Sequence, residues 1–146
     1  IRDSLLCWMF LHTPLTLTER HGHQVKEFPE PPSDAPLGVD ATVAEGWLDL
    51  RVRNDTEVTF QITVTLEGGA ITGRVYTDQD LGLRYEAVNE NLVYTRRNGA
   101  VYEEVDVVQR AVDPATGICV STRNMYRNRC EIGYRLPAGT VIQEKG

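Results

Sequence analysis

Cysteine is scarce: the 146 residues hold three, Cys7, Cys119 and Cys130. An odd and widely spaced set is not a disulfide framework, and without a C-x-x-C pair there is no zinc knuckle. Cys119 and Cys130 could pair in an oxidising compartment, although nothing else in the sequence requires it. Excess positive charge is also missing. A net charge of −6 gives no electrostatic footprint for wrapping nucleic acid or anionic lipid. The run Arg123-Asn124-Met125-Tyr126-Arg127-Asn128-Arg129 interleaves cations with a ring, as single-strand binders do. In so acidic a chain it is read as a solvated strand face, and no nucleic-acid partner is assigned. Long apolar runs are absent too. The longest, Leu5 to Leu11, falls far short of the ~20 residues a spanning helix needs, so no membrane span is expected. With no basic leader beyond Arg2 and no small-residue cleavage site, it does not read as a signal peptide. No internal repeat and no low-complexity segment is visible.

What is present is an ordinary globular composition, 41% apolar and 25% charged. A domain of this length buries roughly 70% of the surface its unfolded chain exposes. The chain starts at Ile1 rather than Met, which suggests a piece of a longer protein. Asp3-Ser4 is a helix N-cap signal. The following run is apolar on every face, so the pattern predicts a buried helix near residues 4–12, ended by Thr13-Pro14. Leu15-Thr16-Leu17-Thr18 predicts a short strand. Pro29, Pro31, Pro32 and Pro36 predict an extended loop closed by Gly38-Val39-Asp40, and long loops in compact domains are often functional. Leu48, Leu50 and Val52 alternate with charged residues. Val58 to Val64 and Ile71 to Tyr76 continue the pattern across the turn signals Asn54-Asp55-Thr56 and Gly68-Gly69, predicting a three-stranded antiparallel meander. Trp47, just ahead of the first of these strands, is expected in the core with Trp8.

Longer strands follow at Leu83 to Arg96, Ala100 to Val112 and Ile118 to Tyr126. Asn98-Gly99 marks a hairpin tip, and the many charges predict a sheet with one wet face or a projecting arm. The expected class is α+β: one buried N-terminal helix packed on a mainly antiparallel β-sheet, with long C-terminal β-hairpins. Residues 1–80 form the expected core, and 81–146 a β-hairpin extension packed as part of the same domain.

Polar residues concentrate at Glu19-Arg20-His21-Gly22-His23. On an extended strand His21 and His23 would share one face. That spacing suits two metal ligands, or a base with a positioning partner. Two hydrogen-bonded histidines packed under the proline-rich loop give the same pattern. No metal and no cofactor is assigned. Asp40, at the loop's return, is placed to orient an imidazole. Arg20 suits bidentate carboxylate recognition, or a plain ion pair with Glu19. The expectation is that His23 and Asp40 lie together, with Arg20 nearby, at the mouth of a shallow pocket beside the helix. Cys7, inside the apolar run, is expected to be a packing residue.

Several segments occur in an order and spacing that resembles the VanW family. They are His12-Thr13-Pro14-Leu15-Thr16, Glu19-Arg20-His21-Gly22-His23, Asp40-Ala41-Thr42-Val43, Gly46-Trp47-Leu48-Asp49-Leu50, Val52-Arg53-Asn54-Asp55-Thr56 and Thr59-Phe60-Gln61-Ile62. The resemblance covers nearly the whole chain after Ser4. The tail Cys130-Glu131-Ile132-Gly133-Tyr134-Arg135-Leu136-Pro137 looks like the subgroup encoded with vancomycin B-type resistance genes. The resemblance implies an accessory role in glycopeptide resistance, with a cell-wall precursor or a resistance-pathway protein as partner, and supplies no reaction. Family members carry a glycine-rich segment ending in Cys-Gln just before the helix, which Ile1-Arg2-Asp3-Ser4 does not reproduce. By analogy with transglutaminase-like or papain-like enzymes, such a cysteine would complete a cysteine–histidine–aspartate site. That analogy makes His23 and Asp40 catalytic residues of a vestigial or incomplete site. Arg20 and His21 become substrate-binding residues, with Arg20 suited to a D-Ala-type carboxylate. Its functional alternative is a fragment of such an enzyme, acting on peptidoglycan-related substrates without its nucleophile. The chain itself is expected to be an accessory rather than an enzyme.

Overall fold

The computed structural model describes residues 2–29 and 35–145. Among these, one helix, α1 (Arg2–Leu11), precedes nine strands. They are β1 (Thr16–Glu19), β2 (Val25–Lys26), β3 (Arg51–Arg53), β4 (Phe60–Glu67), β5 (Ala70–Thr77), β6 (Arg84–Arg97), β7 (Ala100–Val112), β8 (Cys119–Ile132) and β9 (Gln143–Lys145). The protein is mostly β-sheet. No helix among the described residues is long and apolar enough to cross a membrane.

β6, β7 and β8 form an antiparallel meander inside a five-stranded sheet ordered β2-β8-β7-β6-β9. Local chemistry builds it. Asn98 at φ 52° and Gly99 at φ 81° give the left-handed pair that a two-residue type I′ turn needs. At the other end Gly117 N–H donates to Asp113 O at 2.8 Å. The outer strands run parallel to their neighbours, β2 along β8 and β9 along β6. The three long strands pair antiparallel, as expected of the sheet, and the short parallel edges make it mixed. These edges are 2 and 3 residues long, too short to leave a period in the sequence.

The expected meander over residues 48–76 does not form. β3 pairs antiparallel with β1, Leu17 opposite Val52, and β4 and β5 make a two-stranded sheet of their own. Asn54 does close its turn, accepting from Thr56 N–H at 2.9 Å and donating to Val58 O at 2.8 Å. Alternation reveals that a segment is a strand, and the partner of β3 lies far back in the chain. Trp47 is likewise no core anchor. It is 87% exposed, in a tight turn where its N–H donates to Ala44 O at 2.9 Å.

The core centres on β7. Val105, Val107, Val108, Ala111 and Val112 are buried, because β7 has a strand along both edges and receives the end of α1 on one face. Buried Gln109 donates to Leu11 O at 2.8 Å and to Thr13 O at 2.7 Å, satisfying carbonyls left open where the helix stops. α1 itself is only partly covered. Cys7, Phe10 and Leu11 are buried, while Leu5, Leu6, Trp8 and Met9 are half-buried. The helix is apolar all round, but β5 and β6 flank only part of it. Ser4 is inside the helix rather than capping it. It accepts from Ala41 N–H at 3.0 Å and donates to Ala41 O at 3.4 Å, which fixes the helix to the residue that follows Asp40. Cys119 and Cys130 lie at opposite ends of the one strand β8. At ~3.3 Å per residue they are far beyond bridging distance, and none of the three cysteines is in a disulfide.

Candidate functional site

Arg20 ties three distant segments together. It follows β1 directly, and its side chain is only 7% exposed. Nε donates to Asp40 O at 2.9 Å, Nη1 to Asn128 Oδ1 at 2.7 Å and Nη2 to Gly38 O at 2.8 Å. Nη2 also meets Asp40 O and, at 3.2 Å, Asp40 Oδ1. The guanidinium lies over the Tyr126 ring, 4.2 Å from its centroid, and Tyr126 Oη donates to Gly38 O at 2.7 Å. A buried guanidinium needs its donors satisfied and its charge matched. The carbonyls at the loop's return supply the first and Asp40 the second. Gly38 has φ 78°, and a Cβ there would stand 2.9 Å from Asn128 Cβ. The return is therefore built on glycine.

This clamp brings Asp40 to His23. Asp40 Oδ2 lies 2.7 Å from both the backbone nitrogen and Nδ1 of His23. Burial pushes the Asp40 carboxyl up, but the His23 backbone N–H, the imidazole and Arg20 outweigh it and hold its pKa below the ordinary 3.8. An ionised carboxylate can only accept, so Nδ1 carries a proton, and in the neutral ring Nε2 holds the open lone pair. His23 is 59% exposed. It lines a cavity of about 160 Å³ with Val25, Lys26, Asp40, Glu103, Asn128 and Cys130. The structure thus places His23, Asp40 and Arg20 together. The cavity is walled by β2, β7 and β8 rather than by α1. The helix approaches from the Tyr126 side, where Cys7 Sγ is 3.9 Å from Tyr126 Oη.

His21 does not share the face of His23. β1 has ended at Glu19, and beyond it the chain is irregular, so the two-residue period of a strand no longer applies. His21 Nε2 instead meets Glu19 Oε2 at 2.9 Å. Glu19 also accepts from Asp49 N–H at 2.9 Å and faces Arg51 at 3.2 Å. These contacts, the Asp49 N–H first and His21 second, hold the Glu19 carboxyl below its ordinary value. Glu19 and Arg20 are therefore engaged with different partners. Among the described residues no group of three His, Cys, Asp or Glu side chains is arranged to hold a metal ion.

Residues 3–76 match the family model described as VanW like protein. The chain belongs to the VanW family. Over 142 residues it is 48% identical to the vancomycin B-type resistance protein VanW of Enterococcus faecalis, an alignment covering 97% of this chain and 52% of that protein. The chain therefore spans about half the length of this curated relative. No solved structure matches it.

Arg20, His21, His23, Lys26 and Asp40 fall within the VanW-family match, whereas Glu103, Asn128 and Cys130 lie beyond it. The last three and Lys26 were not evident from the sequence. Lys26 Nζ is 3.2 Å from Glu103 Oε2, with side-chain exposures of 13% and 1%, and Tyr94 Oη donates to the same oxygen at 3.1 Å. Burial first, and then the Glu103 charge, pushes the Tyr94 hydroxyl up to about 12. A signal for Glu103 existed. It falls in phase with Val105 and Val107 on β7, and a charge in a buried register requires a buried partner. Asn128 and Cys130 stand opposite Val105 and Glu103 on β8. Cys7 is buried, and burial raises its thiol above the ordinary value with Arg20 opposing, as fits a packing residue.

Proposed function

We propose that this chain is a non-catalytic recognition module of glycopeptide resistance, and that the His23–Asp40 cavity engages a cell-wall precursor. The identity to a protein named for vancomycin B-type resistance, 48% over 97% of this chain, supports carrying that context across. The single observation behind the site is an imidazole oriented through Nδ1 by a carboxylate, on a residue that lines a small cavity. Asp40 fixes the ring and Arg20 fixes Asp40, so the acceptor is ordered before any ligand arrives. A cavity of about 160 Å³ admits one small group of a larger ligand. Arg20 acts here as a positioning residue, since its donors are directed inward, and His21, paired with Glu19, is not among the residues that line the cavity. The buried, protonated thiol of Cys7 supports a role without covalent chemistry.

Isotope-labelled protein titrated with muramyl pentapeptide tests this by NMR. Saturable shifts are expected around His23 and Asp40, lost in folded His23→Ala and Asp40→Asn variants, with the precursor recovered unchanged. Absence of saturable shifts at these residues removes the site. Turnover of the precursor would overturn the non-catalytic reading, as would rapid His23-dependent labelling of Cys130 by an electrophilic thiol probe.

A further inference from the structure

The segment Glu131 to Pro137 plays no part in the His23 cavity, although Cys130 and Glu131 are consecutive. The end of β8 and the tail after it border a second cavity, which shares no lining residue with the first. Gly133 N–H donates to Lys26 O at 2.8 Å, and Thr140 N–H closes a turn on Pro137 O at 3.2 Å. Gly139 has φ 88° there, as the third position of a type II turn requires. β9 then returns alongside β6. Held at these points, the tail and the β6–β7 hairpin border an open cleft of about 410 Å³, within the ~300–1,000 Å³ typical of small-molecule sites. Ile132, Leu136 and Ile142 give it apolar walls, and its charged lining residues are Arg96, Glu131 and Arg135. Arg96 is matched by Glu144. Among the described residues the Glu131 and Arg135 side chains make no ion pair, with each other or with any other group.

We infer that this cleft binds a zwitterionic amino acid or dipeptide, its ammonium at Glu131 and its carboxylate at Arg135. Arg135 is exposed and Glu131 half-buried, and an open cleft with one unpaired charge of each sign favours a ligand that carries both. A simple anion would leave Glu131 unmatched, and a simple cation would leave Arg135 unmatched. The planar guanidinium suits a carboxylate, and both pairs strengthen as water leaves the cleft. This site is distinct from the His23 cavity, and either can fail without the other.

Calorimetric titration of the intact chain with alanine, alanyl-alanine, N-acetyl-alanyl-alanine and alanyl-alaninamide tests it. Saturable binding of a zwitterion is expected, weakened at least ~10-fold, about 1.4 kcal/mol, by blocking either end. Glu131→Gln should abolish the effect of acetylation and keep that of amidation; Arg135→Gln should do the reverse. Misfolding cannot produce that crossed pattern, because each variant still responds to one end. The alanine and alanyl-alanine arms distinguish a single amino acid from a dipeptide. No binding at millimolar ligand overturns the inference. So does equal binding of blocked and free forms, or loss of both responses in each variant.

Discussion

Arg20 and Asn128 stand 108 residues apart in the chain and meet at 2.7 Å, Nη1 to Oδ1. The bond joins the segment after β1 to β8, and the loop's return at Gly38 to Asp40 is held between them. Arg20→Lys keeps the charge and loses the planar fork that serves several acceptors at once. We expect a loss of about 2–4 kcal/mol, near that for breaking a buried charged network, and a loosened His23–Asp40 contact. Urea denaturation gives the first quantity and the imidazole NMR signals of His23 the second. A variant as stable as the parent would show that the fork is dispensable.

Gly38 and Gly139 both have positive φ, 78° and 88°, but only Gly38 is crowded. A Cβ at Gly38 meets Asn128 Cβ at 2.9 Å, whereas one at Gly139 meets nothing within 4 Å. Gly38→Ala should therefore be more destabilising than Gly139→Ala by about 1–3 kcal/mol, the range for overpacking. Comparing the two denaturation midpoints removes the shared backbone strain. Equal losses would contradict the close approach.

Asp40 also predicts an acid limb. Its folded pKa lies below the ordinary 3.8, so the unfolded chain takes up the proton more readily. The stability it contributes is complete above the unfolded pKa and is lost as pH falls through the lower folded value. Glu19, Asp55 and Asp106 shift in the same direction, so part of the limb remains without Asp40. Asp40→Asn should flatten the acid side of the melting-temperature profile and lower its neutral plateau. A variant whose profile merely moves down, with its acid slope unchanged, would remove Asp40 from the linkage.

Short-range chemistry was legible in the sequence. Asn98-Gly99, Gly68-Gly69 and the Asn54 turn are local decisions, made by residues that tolerate positive φ or bond their own backbone. The approach of Asp40 to His23 was also readable, although the chain after Asp40 goes on to β3 in a different sheet and does not rejoin the edge that β2 occupies. Non-local pairing was not. β3 finds β1, and β2 and β9 add two or three residues each to a sheet they meet in parallel. Alternation marks which residues share a face, and says nothing of what covers it. Trp47 therefore reads as a core residue in the sequence, and the valines of β7 do not. The inward charge of Glu103 was visible only once β7 was known to be buried along both edges.

The Lys26–Glu103 pair gives the sharpest energetic prediction. Glu103 is 1% exposed, and its carboxylate faces Lys26 at 3.2 Å and Tyr94 Oη at 3.1 Å. Lys26→Met removes the cation and leaves the carboxylate with a neutral hydroxyl donor. An uncompensated buried charge of this kind costs about 3–5 kcal/mol. Glu103→Gln should cost less, because an amide oxygen still accepts from Lys26 and Tyr94, and the lysine stem can carry its ammonium toward solvent. Replacing both groups, as Lys26→Met with Glu103→Leu, should recover much of the single-variant loss, since burying an ion pair carries its own desolvation penalty. Adding Tyr94→Phe removes the hydroxyl left without an acceptor and should recover more. The measurement is a double-mutant cycle by urea denaturation at neutral pH. The pair also joins β2 to β7 across the cavity that His23 lines, so Lys26→Met should broaden the NMR signals of His23 as well as shift the midpoint. A cycle with no coupling energy would mean that β2 is held by its backbone bonds to β8 alone, and that the charges merely fill the space beneath it.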